Sequence, residues 1–177
     1  MMNNKMMITL LAVSSALTAT YAFAAAGTVN FNGNILDSAC DVDVASQNQV
    51  VVLGDYYKTE FPTTGARTAA TQFNIVLKNC PVTVTNAKVR FDGTPDATNS
   101  SLLAIDSSAS GAATGVAINL MSADKADLPL HGSNSYSYAL SSTMDNTLSF
   151  YAQYISTAAA VTAGPANSVA NFSVVYN

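Results

Sequence analysis

Apolar side chains recur at every second position along almost the whole chain, and runs rich in Val, Ile, Tyr and Phe are cut by clusters of Gly, Asn, Asp and Pro. Side chains two apart on an extended strand share a face, so this period describes strands with one apolar side. The expected strands cover residues 35–44, 49–56, 72–79, 87–92, 115–122, 126–129, 136–140, 147–156 and 169–176. Turn signals separate them at Asp92-Gly93, Ala123-Asp124-Lys125, His131-Gly132-Ser133-Asn134 and Gly164-Pro165. Short strands with regular turns predict an all-β protein, and two packed sheets fit them better than a closed barrel. Residues 99–114 are rich in Ser, Ala and Gly around a short island at 102–105, and read as an exposed connection. No internal repeat or second domain is visible.

The N-terminal residues carry an export signal. Lys5 supplies a positive start, residues 6–19 an apolar run, and Ala22-Phe23-Ala24 a small-x-small cleavage site, so residues 1–24 are expected to be a secretory signal peptide. A membrane anchor is the alternative. Ser14, Ser15 and Thr18 interrupt the run, however, and it is shorter than the roughly 20 apolar residues that span a bilayer.

Cleavage would place an unusually polarised strand at the new N-terminus. In TVNFNGNILDSAC, which begins at Thr28, Val29, Phe31, Gly33 and Ile35 share an apolar face, while Thr28, Asn30, Asn32 and Asn34 share a polar one. A strand of this kind either pairs within its own domain or inserts into the open sheet of another molecule. The opposite end of the chain has a matching peculiarity. Phe172, Val174 and Tyr176 alternate up to the last residue, Asn177, and such a strand must be tied into a sheet not to fray.

Composition narrows the function. Without the leader, six basic residues face eleven acidic ones, a net charge of −5, and no basic cluster exists, so nucleic acid is not an expected partner. Cys40 and Cys80 are the only cysteines, and an even pair in an exported chain is most simply a disulfide, two buried thiols being the alternative. Two thiolates and the single His131 fall short of a zinc site, and the pairs Asp41/Asp43 and Asp124/Asp127 lack a calcium loop, so no metal or cofactor is expected. With one His, one Glu (Glu60) and no nucleophile motif, catalysis is not expected, and His131 reads as an exposed loop residue.

Several stretches together resemble chaperone–usher pilins, most closely the type 1 fimbrial group. They are GTVNFNGNILDSACDVD from Gly27, QVVVLG from Gln49, FNIVLKNC from Phe73, VRFDGT from Val89, SSASGAATGVAINL from Ser107 and FYAQYISTAAAVTAGPANSVANFSVVYN from Phe150, with the Cys40/Cys80 pair. The resemblance implies an incomplete immunoglobulin-like β-sandwich that lacks its last strand and is completed by a donor strand from a neighbour. It divides the chain into the leader at 1–24, a donor-strand extension at 25–36 and a pilin domain at 37–177.

The same resemblance implies a structural subunit of a surface fimbria. Its partners would be neighbouring pilus subunits, a periplasmic chaperone and an outer-membrane usher. Val29, Phe31, Gly33 and Ile35 match the donor motif, with Gly33 where a side chain would not fit. Phe172, Val174 and Tyr176 match the C-terminal strand that lines the groove and pairs with the chaperone. The short lead before Val29 leaves a minor subunit, adaptor or terminator open beside the shaft subunit, and the single-domain length argues against a two-domain tip adhesin. A secreted carbohydrate-binding or adhesive module is the alternative from another class, with Tyr136, Tyr138, Tyr151 and Tyr154 as candidate stacking surfaces.

Overall fold

The computed structural model describes residues 27–33, 35 and 39–176; the leader at 1–24 lies outside the described residues, as does Asn177. Residues up to Ile35 and those from Leu36 onward form separate units. The described residues of the second unit include eight strands: β1 (Asp41–Val42), β2 (Thr71–Lys78), β3 (Asn86–Gly93), β4 (Leu103–Ala104), β5 (Val116–Met121), β6 (Tyr138–Ala139), β7 (Asn146–Ser156) and β8 (Ala170–Tyr176). One helical turn, α1 (Val44–Gln47), and a 3-10 turn at Lys58–Glu60 complete it.

The strands form two antiparallel sheets, ordered β1-β2-β7-β5-β4 and β6-β3-β8. Alternation does what the period implied. In β2, Ile75 and Leu77 are fully buried while Gln72 and Asn74 face solvent, and in β3 Ala87, Val89 and Phe91 turn inward. Leu148 and Phe150 of β7 meet them, and Phe91 stands edge-on to Phe150 with ring centroids 5.3 Å apart. Each such aromatic pair adds on the order of 1 kcal/mol beyond the area it buries. The Cys40–Cys80 disulfide joins the residue before β1 to a residue just after β2, and both sulfurs are buried.

Four expected elements differ. Only Asp41–Val42 of the strand expected at 35–44 pairs with a neighbour among the described residues. Asp43 ends the pairing by capping α1, its carboxylate accepting the Ala45 N–H at 2.9 Å. Residues 49–56 are extended but have no ladder partner among the described residues. The strand expected at 126–129 shrinks to one bridge between Asp127 and Met121, and that at 136–140 to Tyr138–Ala139. Conversely, the island within 99–114 is no exposed connection. Leu102 and Leu103 are buried, and Leu103–Ala104 pairs with Ile118 and Ala117 of β5. Three of the four expected turns fall in place, with Lys125 and His131 both at positive φ (61° and 60°), whereas Asp92 and Gly93 lie within β3, because the pairing with β8 runs on to Asn171 and Ala170.

Candidate functional site

Among the described residues the last strand has one partner. β8 pairs with β3 from Ala87↔Tyr176 to Gly93↔Ala170, and its other edge is free among the described residues. Phe172, Val174 and Tyr176 point toward the core but are only half-buried, whereas Phe91, Val89 and Ala87 directly opposite them are buried. The core below β8 therefore lacks a cover on one side.

A second wall faces that free edge. Val51 and Leu53 turn inward while Val50 and Val52 turn out to solvent, the alternation of a strand without the strand's ladder. No main-chain hydrogen bond to residues 50–56 is made among the described residues. Among the described residues their N–H and C=O groups have no main-chain partner, nor do those on the outer side of β8.

Between these walls lies a groove of about 510 Å³ whose floor is Phe73, Ile75, Phe91, Ile118 and Leu120, with Phe172 on one wall; none of its lining residues is charged. A second hollow of about 460 Å³ continues it past Tyr154 toward Phe61, Val116 and Val161, and only there do charged side chains, Asp55 and Lys58, reach the lining. Gly115, at φ +75° next to the lining residue Val116, lets the chain approach the 158–160 segment: a Cβ there would stand 2.5 Å from the Ala160 carbonyl oxygen. Burial raises the hydroxyl pKa values of Tyr154 and Tyr176 above the ordinary tyrosine value. An apolar trough flanked by two unpaired main-chain edges is built to receive an extended strand with alternating apolar side chains.

A segment with that alternation, though not assigned to a strand, occurs in the N-terminal unit. Residues 27–33 and 35 have no ladder partners among the described residues, and Val29, Phe31 and Ile35 are 74%, 92% and 100% exposed. No atom lies within 4 Å of the place where a Cβ on Gly33 would sit. Large apolar side chains left this bare need a partner surface.

The other chemical candidates are occupied structurally. Asp43 pairs with Lys78 at 2.6 Å, Asp127 with Arg67 at 3.1 Å, and Asp92 with His131 Nδ1 at 2.9 Å. Glu60 accepts the Tyr57 N–H at 3.0 Å. No group of three or more metal-ligating side chains occurs among the described residues. The tyrosines do not form one platform: buried Tyr138 donates to the Ser149 carbonyl at 2.7 Å, Tyr136 packs on its ring, and Lys125 sits over Tyr151. Tyr154 lines the groove instead. Among the groove residues, Val51 and Leu53 are not marked by the sequence, and Tyr154 is marked there as a stacking surface and not as part of a groove. The alternation at 49–56 was the available signal, and the missing partner was not.

Comparisons with known proteins give the family and the fold. Residues 29–177 match the family model described as Fimbrial protein. The fimbrial subunit type 1 of Klebsiella pneumoniae is 40% identical over 152 residues, covering 85% of this chain and 83% of the relative. The type-1 fimbrial protein A chain of Escherichia coli is 39% identical over 168 residues, covering 91% and 92%. A subunit from a solved chaperone–usher pilus superposes with a TM-score of 0.65 at 28% identity, covering 92% of this chain and all of that one.

Proposed function

The chain belongs to the fimbrial protein family, and from that premise we propose that it polymerises by strand exchange, residues 29–35 of one copy filling the groove of the next. It is a structural subunit of a surface fimbria, exported through the periplasm, with other pilus subunits as its neighbours in the fibre. Residues 1–24 are the removed leader, 25–36 the donor extension and 37–177 the accepting domain. One observation carries this reading. β8 is half-buried with a free edge above an apolar groove, while Phe31 and Ile35 are bare.

In this reading Val29, Phe31 and Ile35 face the groove floor and Gly33 passes where there is no room for a side chain. The donor's main chain bonds to β8 on one side and to residues 50–56 on the other. A periplasmic chaperone lends a strand to the groove first, pairing with β8 along Phe172, Val174 and Tyr176, and the exchange takes place at the outer-membrane usher. Burying three large apolar side chains contributes roughly 5–8 kcal/mol before entropy costs, and each ladder bond adds about 1 kcal/mol. The role in this reading is structural and not catalytic, in keeping with the fimbrial subunits it resembles.

The test is expression of the mature chain in a periplasm with and without a fimbrial chaperone, beside a variant lacking residues 25–36. Chaperone-dependent recovery and SDS-resistant ladders that vanish on deletion are expected. A stable, chaperone-independent monomer would show the sandwich to be complete and the reading wrong.

A further inference from the structure

Asn32-Gly33 is the only Asn-Gly pair in the chain, and it lies in the bare N-terminal segment between Phe31 and Ile35. Both residues are exposed and neither makes a main-chain hydrogen bond among the described residues. No atom beyond the chain neighbours stands within 4 Å of a Cβ on Gly33. Asparagine followed by glycine is the pair in which the next main-chain nitrogen most readily reaches the side-chain amide carbon, because glycine has no Cβ to shield that nitrogen or restrict its backbone. The chain holds its own comparison. Asp92-Gly93 offers the same arrangement of atoms, yet it lies inside the β3–β8 ladder, opposite Asn171 and Ala170, with the carboxylate held by Arg90 and His131. Asn99 and Asn134 are each followed by serine, and their side chains are engaged. Asn99 Oδ1 accepts the Ser101 N–H at 3.1 Å, and Asn134 Nδ2 donates to Ser122 Oγ at 2.6 Å.

We propose that Asn32 is a site of spontaneous deamidation, through which a subunit whose N-terminal segment stays unpaired loses its competence to join a fibre. The Gly33 nitrogen attacks Asn32 Cγ: the N–Cγ bond forms, the Cγ–Nδ2 bond breaks, and Nδ2 leaves as ammonia with the proton from the Gly33 N–H. Water then opens the cyclic imide. Addition at Cγ gives aspartate and addition at the residue 32 main-chain carbonyl gives isoaspartate, with no change of oxidation state in either case. Isoaspartate carries the main chain through the former side chain and lengthens it by a methylene. Same-face side chains on a strand recur about every 7 Å, so residues on either side of the insertion, Phe31 and Ile35, lose their common spacing. The N–H and C=O groups beyond it fall out of step with any ladder. Pairing stops the reaction, because a strand's ψ of about +135° holds the Gly33 nitrogen away from Cγ and a ladder bond occupies its N–H. The effect on assembly rests on the strand-exchange reading, whereas the chemistry at Asn32 does not.

The mature subunit purified with a fimbrial chaperone and the assembled fibre are incubated side by side, and peptide mass spectrometry with fragmentation that distinguishes isoaspartate follows each site. In the unassembled subunit Asn32 is expected to convert at least about tenfold faster than Asn99, Asn134 or Asp92, and in the fibre at least about tenfold more slowly than in the subunit. If Asn32 converts no faster than those residues in the subunit, the proposal is overturned and strand exchange stands. If it converts equally fast in subunit and fibre, the segment is not sequestered and the strand-exchange reading falls, taking the effect on assembly with it. A second measurement reads competence. Parent, Asn32→Ser and Asn32→Gln subunits are aged and then allowed to polymerise, each scored against its own fresh sample by SDS-resistant ladders. The parent alone is expected to decline, in proportion to its isoaspartate, because serine cannot form the imide and glutamine would need a slower six-membered ring. A parallel decline in the parent and either variant overturns the proposal.

Discussion

Ser46 Oγ accepts the main-chain N–H of Val76 at 2.9 Å, so that a side chain takes the place of the next strand on the edge of β2. Just before it, the Asp43 N–H donates to the Val76 carbonyl at 2.9 Å, the last main-chain bond from this run to β2 among the described residues. The chain then turns through α1 and leaves the sheet. The wall of the groove formed by residues 49–56 starts where Ser46 ends the ladder.

Ser46 is buried, so Ser46→Ala would leave the Val76 N–H without its acceptor. The expected loss is about 1–3 kcal/mol of stability with an unchanged denaturant slope. Urea unfolding of the two chains side by side checks this, and an unaltered midpoint would mean that another group satisfies Val76.

The Cys40–Cys80 bridge closes a loop with a sequence separation of 40. Replacing both cysteines by Ser is expected to cost about 4 kcal/mol, chiefly through the freedom returned to the unfolded chain. A lower urea midpoint in the variant, and in the parent treated with reductant, is the expected result. Equal midpoints with and without reductant would contradict it.

Acid should weaken the fold. The Lys78 ammonium beside Asp43, the hydrogen bond from His131 to Asp92 and the Arg67 guanidinium beside Asp127 each hold a carboxyl below its ordinary value. The unfolded chain therefore binds more protons than the folded one at low pH. This stabilisation is complete above the unfolded carboxylate pKa of about 4 and is lost as pH falls below it through the lowered folded values. Urea midpoints measured from pH 6 downward should be flat at first and then decline. Asp127→Asn should shrink the decline, because it removes one of the carboxylates that titrate. A midpoint that rises on acidification would contradict the assignment.

Much of the architecture is legible in the sequence because period and burial coincide: 72–79, 87–92, 147–156 and 169–176 alternate and lie in the sheets. The period reports which face a residue takes and says nothing of pairing. Residues 49–56 alternate as a strand does, with Val51 and Leu53 inward, yet no ladder partner lies beside them among the described residues. Leu102 and Leu103 escaped because the residues around them are small and polar, and only their pairing with β5 across the fold shows that they are core. The helical turn after Asp43 was hidden by its length, a single turn being too short to display a helical period. The candidate site was half visible: the aromatic alternation of β8 marked one wall, while Tyr154, which reads as a stacking surface in the sequence, lines the groove because of how β7 packs under the two walls.

The most direct test of strand exchange is a photo-crosslinker placed at Phe31 in the assembled fibre, with the product mapped by mass spectrometry. The expected product joins position 31 of one chain to a peptide from residues 49–53 or 166–176 of another, in bands of dimer size and above. Products confined to single chains, or chains joined only through other surfaces, would contradict the account.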